Sequence, residues 1–553
     1  MHTQHNHVTN MILLFLLTAI SYGFFNAHLA ITDPVESNYV LTAKTMIEHN
    51  SWISPMIYNQ VWFDKPPLTY WALMICYKLF GISDFVSRIP NTLTAATSVT
   101  AMYYMVYRLY KNISVALISA VVLMSTLLFW YISHAVITDG FLFLFSLGIF
   151  AYGYIGLTQQ NYRAINAAYA CAGLAVITKG PIGLLLPGLI FMLFTIIQII
   201  IHRENPTYSW KRQLSILVSP LGILLFLAIA SPWYIAMYQL HGIDFINGFL
   251  GLHNVDRALI SEHPKFNVWY YYLLLMPIAL FPWTPLLIHK LRHTHWMEPF
   301  NVFSALWFIS IVLFYSMVAT KYMTYTFLAI IPCVIWISQH IYHLFITNQR
   351  KAVKRYIIIP VFLYVIIFLI GTSYDKNLTI IPLGIACIIT LSMVFIAWRT
   401  INNDMLITES SLSVPRPFLY ITVILCIIYS AITITVAPIL TKQSGLQYVP
   451  LVESHRGHVY IYGSYYTSIV YYTNEVPTSV FVGSNDDPRW TKGKALMPTI
   501  TKDEFMNRIV ADPTALVIVP KKFKVDYENS IASTVTQKIG ANDSAIIYER
   551  NKK

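Results

Sequence analysis

Residues 11–39 read MILLFLLTAISYGFFNAHLAITDPVESNY. The stretch 11–31 is apolar over about twenty residues, the length a helix needs to cross a hydrocarbon core of roughly 30 Å. Where it stops, two carboxylates, Asp33 and Glu36, follow at once. Apolar runs of similar length recur as far as Leu440. The 553 residues are 56% hydrophobic and only 11% charged, with a mean hydropathy of +0.56, which lies outside the range of a soluble domain. Long runs indicate helices, because barrel strands would show short alternating segments instead. The expected fold class is an all-α multi-pass membrane bundle. The His-rich start carries no small-residue cleavage site, so the first run is expected to remain as a first span.

About thirteen spans are expected, near 11–31, 89–107, 114–132, 137–157, 165–179, 182–201, 214–237, 269–288, 301–319, 322–342, 356–372, 378–398 and 417–440. One set of alternate loops carries Arg108 and Lys111, Arg163, Arg203 with Lys211 and Arg212, Lys290 with Arg292, Arg350 with Lys351, Lys354 and Arg355, then Arg399 and Arg416. The positive-inside rule puts that set, and the N-terminus, in the cytoplasm. Loops 32–88 and 238–268 and the tail 441–553 then face outward. The net charge of +12 is spread over these short loops without a basic stripe, so no nucleic-acid partner is expected. The five cysteines, Cys76, Cys171, Cys333, Cys387 and Cys426, sit in apolar segments with no CxxC spacing, which implies neither a disulfide framework nor a zinc knuckle.

The chain is expected to divide into a transmembrane domain, 1–440, and a small extracytoplasmic α/β domain, 441–553. In the 32–88 loop, Tyr39, Val40, Ala43, Met46 and Ile47 repeat with helical period, as do Leu68, Trp71, Ala72, Ile75 and Leu79. Both helices are too short to span and are expected at the membrane surface, the second opened by Pro66 and Pro67 and closed by Gly81. In the tail, β-rich runs at 459–462, 479–482, 515–519 and 545–548 alternate with helical stretches. Thr501 and Glu504 make a capping box for one of these helices.

The ionisable residues gather at the outer boundary. Asp33 lies at headgroup depth, either as a helix cap or as a site carboxylate. Asp139, in His134-Ala135-Val136-Ile137-Thr138-Asp139-Gly140, opens the fourth span; a carboxylate within a span costs about 3 kcal/mol on insertion scales, so function or a buried partner is the first reading and a helix cap the second. Phe63-Asp64-Lys65-Pro66-Pro67-Leu68 sets a lysine where it binds a lipid phosphate or merely snorkels. Lys179 in Thr178-Lys179-Gly180-Pro181, and Lys321 with Tyr325, stand at span ends. The second outer loop carries His253, Arg257, Glu262 and His263 before Trp269-Tyr270-Tyr271-Tyr272, an aromatic run that fits an interfacial belt or a sugar platform. One pocket open to the outside and gathering these groups is the expectation.

Asp33 with Glu36 and Tyr39, Asp64-Lys65-Pro66, Asp139, Thr178-Lys179-Gly180, Arg257, Trp269-Tyr270-Tyr271, Pro282-Trp283 and Lys321 with Tyr325 form an ensemble. It resembles that of the bacterial dolichyl-phosphate-mannose-protein mannosyltransferase-like membrane glycosyltransferases, in particular their aminoarabinose-transferring branch. The resemblance implies a C-type glycosyltransferase fold, an undecaprenyl-phosphate sugar donor and a reaction on the periplasmic side of the inner membrane. It also implies an acceptor such as lipid A, another envelope glycan or a protein hydroxyl, and a sugar such as 4-amino-4-deoxy-L-arabinose. By the same resemblance Asp33 and Asp139 are the catalytic acids, and Lys65, Arg257, Lys321 and Tyr325 attend the donor phosphate. Glu36, Tyr39, Lys179 and His263 complete the site. A divalent metal ion would fall to Asp64 and His253, although Asp64 stands where the family's motif has glutamate.

Sugar transfer from a phosphate builds positive charge at the anomeric carbon and negative charge on the departing oxygen, so a site needs cations on one side and a carboxylate on the other. A single displacement inverts the anomeric centre. A transporter or flippase for lipid-linked sugars is the rival class; it predicts charges spread through the membrane depth and inverted repeats.

Overall fold

The computed structural model describes residues 2–204, 208–292, 298–373, 380–403, 416–482 and 497–551. The first residues of the expected span 378–398, and 483–496 of the expected outer domain, lie outside the described residues. The chain divides into two compact units. One comprises Met1–Asn26, Arg88–Ile246 and His253–Thr435; the other comprises Ala27–Ser87, Asn247–Leu252 and Val436–Lys553.

The first unit is helical. Among the described residues, six helices are long and apolar enough to cross a membrane, and eight if each of two bent pairs counts as one span. The helix Asp139–Thr158 is apolar on every face, and most of it is buried, as expected of a helix surrounded by others. Phe150 stacks on Trp307 with ring centroids 3.8 Å apart. Gly153 makes room for a neighbouring ring, since a Cβ there would lie 2.3 Å from Phe191. Without a hydrophobic drive between helices in lipid, such close approach is what holds them.

The expected spans 114–132 and 269–288 are both broken. Ile113–Met124 meets Leu127–His134 at 63°, and Tyr271–Ala279 meets Thr284–Leu291 at 111°. At the first break the hydroxyls of Ser125 and Thr126 donate back to Val121 and Val122 carbonyls, at 2.6 and 2.7 Å. At the second, Pro282 has no N–H to give. The groups freed at the two breaks serve each other: Trp283 Nε1 donates to Ser125 Oγ at 3.0 Å, and Leu127 N to the Phe281 carbonyl at 3.4 Å. Tyr429 donates to the Ser125 carbonyl at 2.6 Å, and Tyr22 donates to that of Met124. Broken helices survive at membrane depth only when freed backbone groups find such partners.

The second unit begins with helices Val35–Glu48 and Leu68–Phe80, joined through the hairpin β1 (Met56–Ile57) and β2 (Gln60–Val61). Pro67 precedes the second helix, and Gly81, at φ +81°, ends it. The apolar stripe read from the sequence has the helical period, and the face this helix buries is a different one. Thr69, Tyr70, Leu73, Met74 and Tyr77 are buried, whereas Ile75 and Leu79 are 50% and 68% exposed. A helix apolar all round leaves such a face for lipid.

The remainder forms a six-stranded sheet of β3 (Val459–Tyr462), β4 (Thr478–Phe481), β5 (Thr499–Thr501), β6 (Leu516–Pro520), β7 (Thr536–Ala541) and β8 (Ala545–Arg550), in the order β5-β4-β3-β6-β8-β7. The first four in that order are mutually parallel; β8 runs antiparallel to β6, and β7 antiparallel to β8. β6 is buried along its whole length, as a strand covered on both faces must be. β5 and β7 were not expected from sequence; both are edge strands with polar composition, the kind whose hydrophobic signal is weakest. Thr501 Oγ1 accepts from Glu504 N at 3.2 Å, forming the anticipated cap.

Replacing Tyr429 by phenylalanine strips a donor from the Ser125 carbonyl and is expected to cost about 1–3 kcal/mol. Thermal unfolding in detergent measures this; an unchanged midpoint would remove the role given to that hydrogen bond.

Candidate active site

Within the first unit, Asp139 begins its helix directly after the turn 135–138 and is 5% exposed. That turn is held from the helix Asp84–Tyr110. The Arg88 guanidinium donates to the His134 carbonyl, and Asn91 Nδ2 donates to Ala135 and Ile137 carbonyls at 2.6 and 3.0 Å. Lys179 ends the helix Tyr162–Lys179, where Gly180 at φ +89° stops it. Its ammonium is ion-paired with the Asp139 carboxylate and lies 5.3 Å from the centre of the Tyr325 ring and 5.7 Å from that of Phe327. Two charges 40 positions apart thus neutralise one another among aromatic rings, the arrangement a buried charge requires.

Arg257 arrives by a different route. The helix Pro220–Phe245 has a kink at Gly242, φ +57°, a value that suits glycine. It then widens into π-helical turns over Ile246–Asp256, which carry His253. Arg257 Nη2 is 3.3 Å from Glu262 Oε1, and the Tyr322 hydroxyl donates to Glu262 Oε2 at 2.6 Å. His263 sits edge-on to Tyr322 at 5.4 Å. Tyr325 lies between Tyr322 and Tyr315, at 5.2 and 4.9 Å. Lys321 donates to the carbonyls of Tyr315, Ser316 and Val318 at 3.2, 2.7 and 2.5 Å, closing the end of the helix Pro299–Met317. A chain of contacts therefore runs Asp139, Lys179, Tyr325, Tyr322, Glu262, Arg257.

In the second unit, Asp33 is the hub. Its Oδ1 accepts from Ser37 Oγ at 2.8 Å and Ser468 N at 2.9 Å; its Oδ2 accepts from Gly445 N at 3.1 Å and from Ser468 Oγ. Four donors fill the acceptor positions of a carboxylate. Glu36 accepts from Thr32 N and Oγ1 at 3.0 and 2.7 Å, and the buried Tyr39 ring lies 5.7 Å from that of Tyr70. Lys65 is ion-paired with Asp64 at 2.8 Å. Burial pushes the Asp33 carboxyl up to about 6, against hydrogen bonds from Ser468, Ser37 and Gly445 that pull it down.

Sequence reasoning passed over Arg88, Asn91 and Tyr322, and gave Glu262 no role. An arginine at the start of an apolar span was the available signal for the first; the others are marked only by what they touch. Among the described residues no three His, Cys, Asp or Glu side chains group as a metal site. Asp64 is engaged by an ammonium, which competes with any divalent ion. The two candidates for the metal implied by resemblance, Asp64 and His253, belong to different units.

Residues 64–235 match the profile of the family described as dolichyl-phosphate-mannose-protein mannosyltransferase. The chain resembles that family. The undecaprenyl phosphate-alpha-4-amino-4-deoxy-L-arabinose arabinosyl transferase of Yersinia pestis (strain Pestoides F) is 27% identical over 311 residues, covering 54% of this chain and 53% of that protein. The same-named protein of Pectobacterium atrosepticum is 25% identical over 309 residues, covering 54% and 52%. The chain spans about half the length of the curated relatives it matches. The crystal structure of ArnT from Cupriavidus metallidurans bound to undecaprenyl phosphate superposes with a TM-score of 0.77 over 97% of each chain, at 16% identity. The chain has the ArnT fold.

Because the folded Asp33 carboxyl is raised from 3.8 to about 6, its favourable contribution to folding is full below the unfolded value and lost as pH rises through the folded one. The stability of the wild type relative to Asp33→Asn is expected to fall between about pH 4 and about pH 7. Thermal midpoints of both proteins across that range measure it, and a constant difference would contradict the assignment.

Proposed function

We propose that this chain is an integral inner-membrane glycosyltransferase that moves a sugar from an undecaprenyl-phosphate carrier to an outer-face acceptor, with inversion at the anomeric carbon. The observation that carries the reading is the pairing of cations with carboxylates: Lys179 with Asp139, Arg257 with Glu262, and Lys65 with Asp64. Each cation is largely shielded from solvent and balanced at rest. An arriving phosphate exchanges for the resting carboxylate and gains a charge-assisted contact without ever exposing an unpaired buried cation. The relatives that align to 54% of this chain at 27% identity, named for transfer of 4-amino-4-deoxy-L-arabinose, support the same donor class.

Arg257 is assigned to the carrier phosphate, where its planar fork suits two oxygens at once. As it turns to the phosphate, Glu262 keeps its hydrogen bond from Tyr322. Asp139 is assigned to the reacting sugar and its acceptor, with Lys179 as its resting ion-pair partner. Lys321 acts through Tyr322 and Tyr325, which it positions by closing the preceding helix. Lys65 is proposed as a further phosphate-binding cation. Asp33 is proposed as a catalytic carboxylate for a hydroxyl acceptor, releasing one of its four donors as it takes a proton. If the acceptor is itself a phosphate it arrives ionised, and Asp33 stabilises the cationic sugar instead.

The acceptor proposed is lipid A, and the sugar 4-amino-4-deoxy-L-arabinose. The proposed layout has about thirteen spans within 1–440, a cytoplasmic N-terminus and a C-terminal α/β domain, 441–553, on the periplasmic side. The sorting of Arg and Lys onto one set of loops supports that orientation.

Purified protein is assayed with undecaprenyl-phosphate aminoarabinose and lipid A, with product read by mass spectrometry. Asp139→Asn and Arg257→Ala are each expected to lower turnover by roughly 10²–10³-fold, and Asp33→Asn and Lys65→Ala to abolish it, with membrane insertion intact. Wild-type turnover in these variants sinks the residue roles. A sugar appearing on envelope glycans or protein while lipid A stays unmodified replaces the acceptor. Absence of transfer to any of them, with transbilayer movement of the carrier instead, favours the transporter class.

A further inference from the structure

A cleft of about 230 Å³ opens in the first unit between the helices Asp84–Tyr110, Asp139–Thr158 and Tyr162–Lys179. Small side chains line it, among them Ala101, Ala151 and Ala164, together with Leu147 and Met105. Gly148 lines it too, and a Cβ there would lie 2.6 Å from Cys171 Sγ, so the two helices approach closely at this point. Arg108 and Arg163 also line it. These two arginines belong to the loops that the positive-inside rule assigns to the cytoplasm.

Neither arginine forms an ion pair among the described residues. Arg108 Nη1 donates to the Tyr104 hydroxyl at 2.8 Å, which leaves other N–H groups of its fork available. Asn161, also a lining residue, caps the helix Tyr162–Lys179 by accepting from Ala164 N at 3.2 Å, so the positive end of that helix dipole lies at the cleft. Tyr104 and Tyr152, each 37% exposed, line it too, and tyrosines favour the level where acyl chains meet headgroups. Two unpaired cations, a helix N-terminus and interfacial tyrosines together with an apolar lining describe an amphiphile with an anionic head.

We propose that this cleft binds an anionic phospholipid of the cytoplasmic leaflet, its phosphate held by Arg108 and Arg163 and one acyl chain laid along Ala101, Met105, Leu147 and Ala151. Basic pockets between spans on the cytoplasmic side take such headgroups. The inference rests on the chain being embedded in a membrane with the Arg108 and Arg163 loops on the cytoplasmic side; it stands apart from the transferase reading and from the residues assigned to it.

The full-length protein in detergent is titrated with phosphatidylglycerol or phosphatidylcholine, and bound lipid is counted by native mass spectrometry. Phosphatidylglycerol is expected to bind in preference, and the double variant R108Q/R163Q to lose roughly thirtyfold in its affinity. The charge-conserving R108K/R163K is expected to retain most of it, which separates lost charge from lost folding. Ala167→Leu, which narrows the cleft, is expected to weaken binding with both arginines present. Equal binding of phosphatidylcholine, or unchanged binding by R108Q/R163Q, would show only lipid of the general annulus and overturn the proposal. Displacement of the lipid by inorganic phosphate alone would overturn it too, since the apolar lining would then contribute nothing.

Discussion

Inside a bilayer every peptide N–H and C=O must find its partner within the protein, and this constraint organises the first unit of the chain. Continuous helices meet it by themselves. The two broken ones meet it through each other, with Trp283 reaching Ser125 and Leu127 reaching Phe281, and with Tyr22 and Tyr429 covering carbonyls that the first break exposes. The same demand explains why Arg88 and Asn91 point at the turn 134–137 and why Lys321 spends its N–H groups on three carbonyls. Helix ends in lipid are costly places that polar side chains must tend.

Charge follows a parallel rule. A lone ammonium or carboxylate out of water is far more costly than a paired one, so Lys179, Arg257 and Lys65 each rest against a carboxylate. Aromatic rings complete the surroundings of Lys179, and Tyr322 steadies Glu262. Lys321 differs from these cations in that its ammonium is committed to three backbone carbonyls.

Asp33 shows a carboxylate used as a junction. Donors from Ser37, Gly445 and Ser468 converge on it, although the last two are more than four hundred positions away in the chain. The local sequence Thr32-Asp33-Pro34-Val35-Glu36-Ser37 accounts for the Ser37 bond and for the Thr32–Glu36 cap, both of which lie within a single helical turn. The bonds to Gly445 and Ser468 have no local trace.

By itself the sequence determined whatever depends on near neighbours: the apolar runs that must be helices, the membrane as solvent, the arrangement of Arg and Lys in alternate loops, the Pro67 and Gly81 boundaries, the Thr501 cap, and the list of ionisable residues worth explaining. These are legible because hydropathy, helical period and capping act over a few residues. Tertiary structure alone decided which carboxylate meets which cation, that two spans are bent, which face of Leu68–Phe80 is buried, and that polar segments such as Thr536–Ala541 join a sheet edge. It also brought Arg88, Glu262 and Tyr322 into the account. Outcomes such as the Lys179–Asp139 pair are a competition for partners among residues distant in sequence, and the winner is set by packing and by the cost of leaving a buried polar group unmatched.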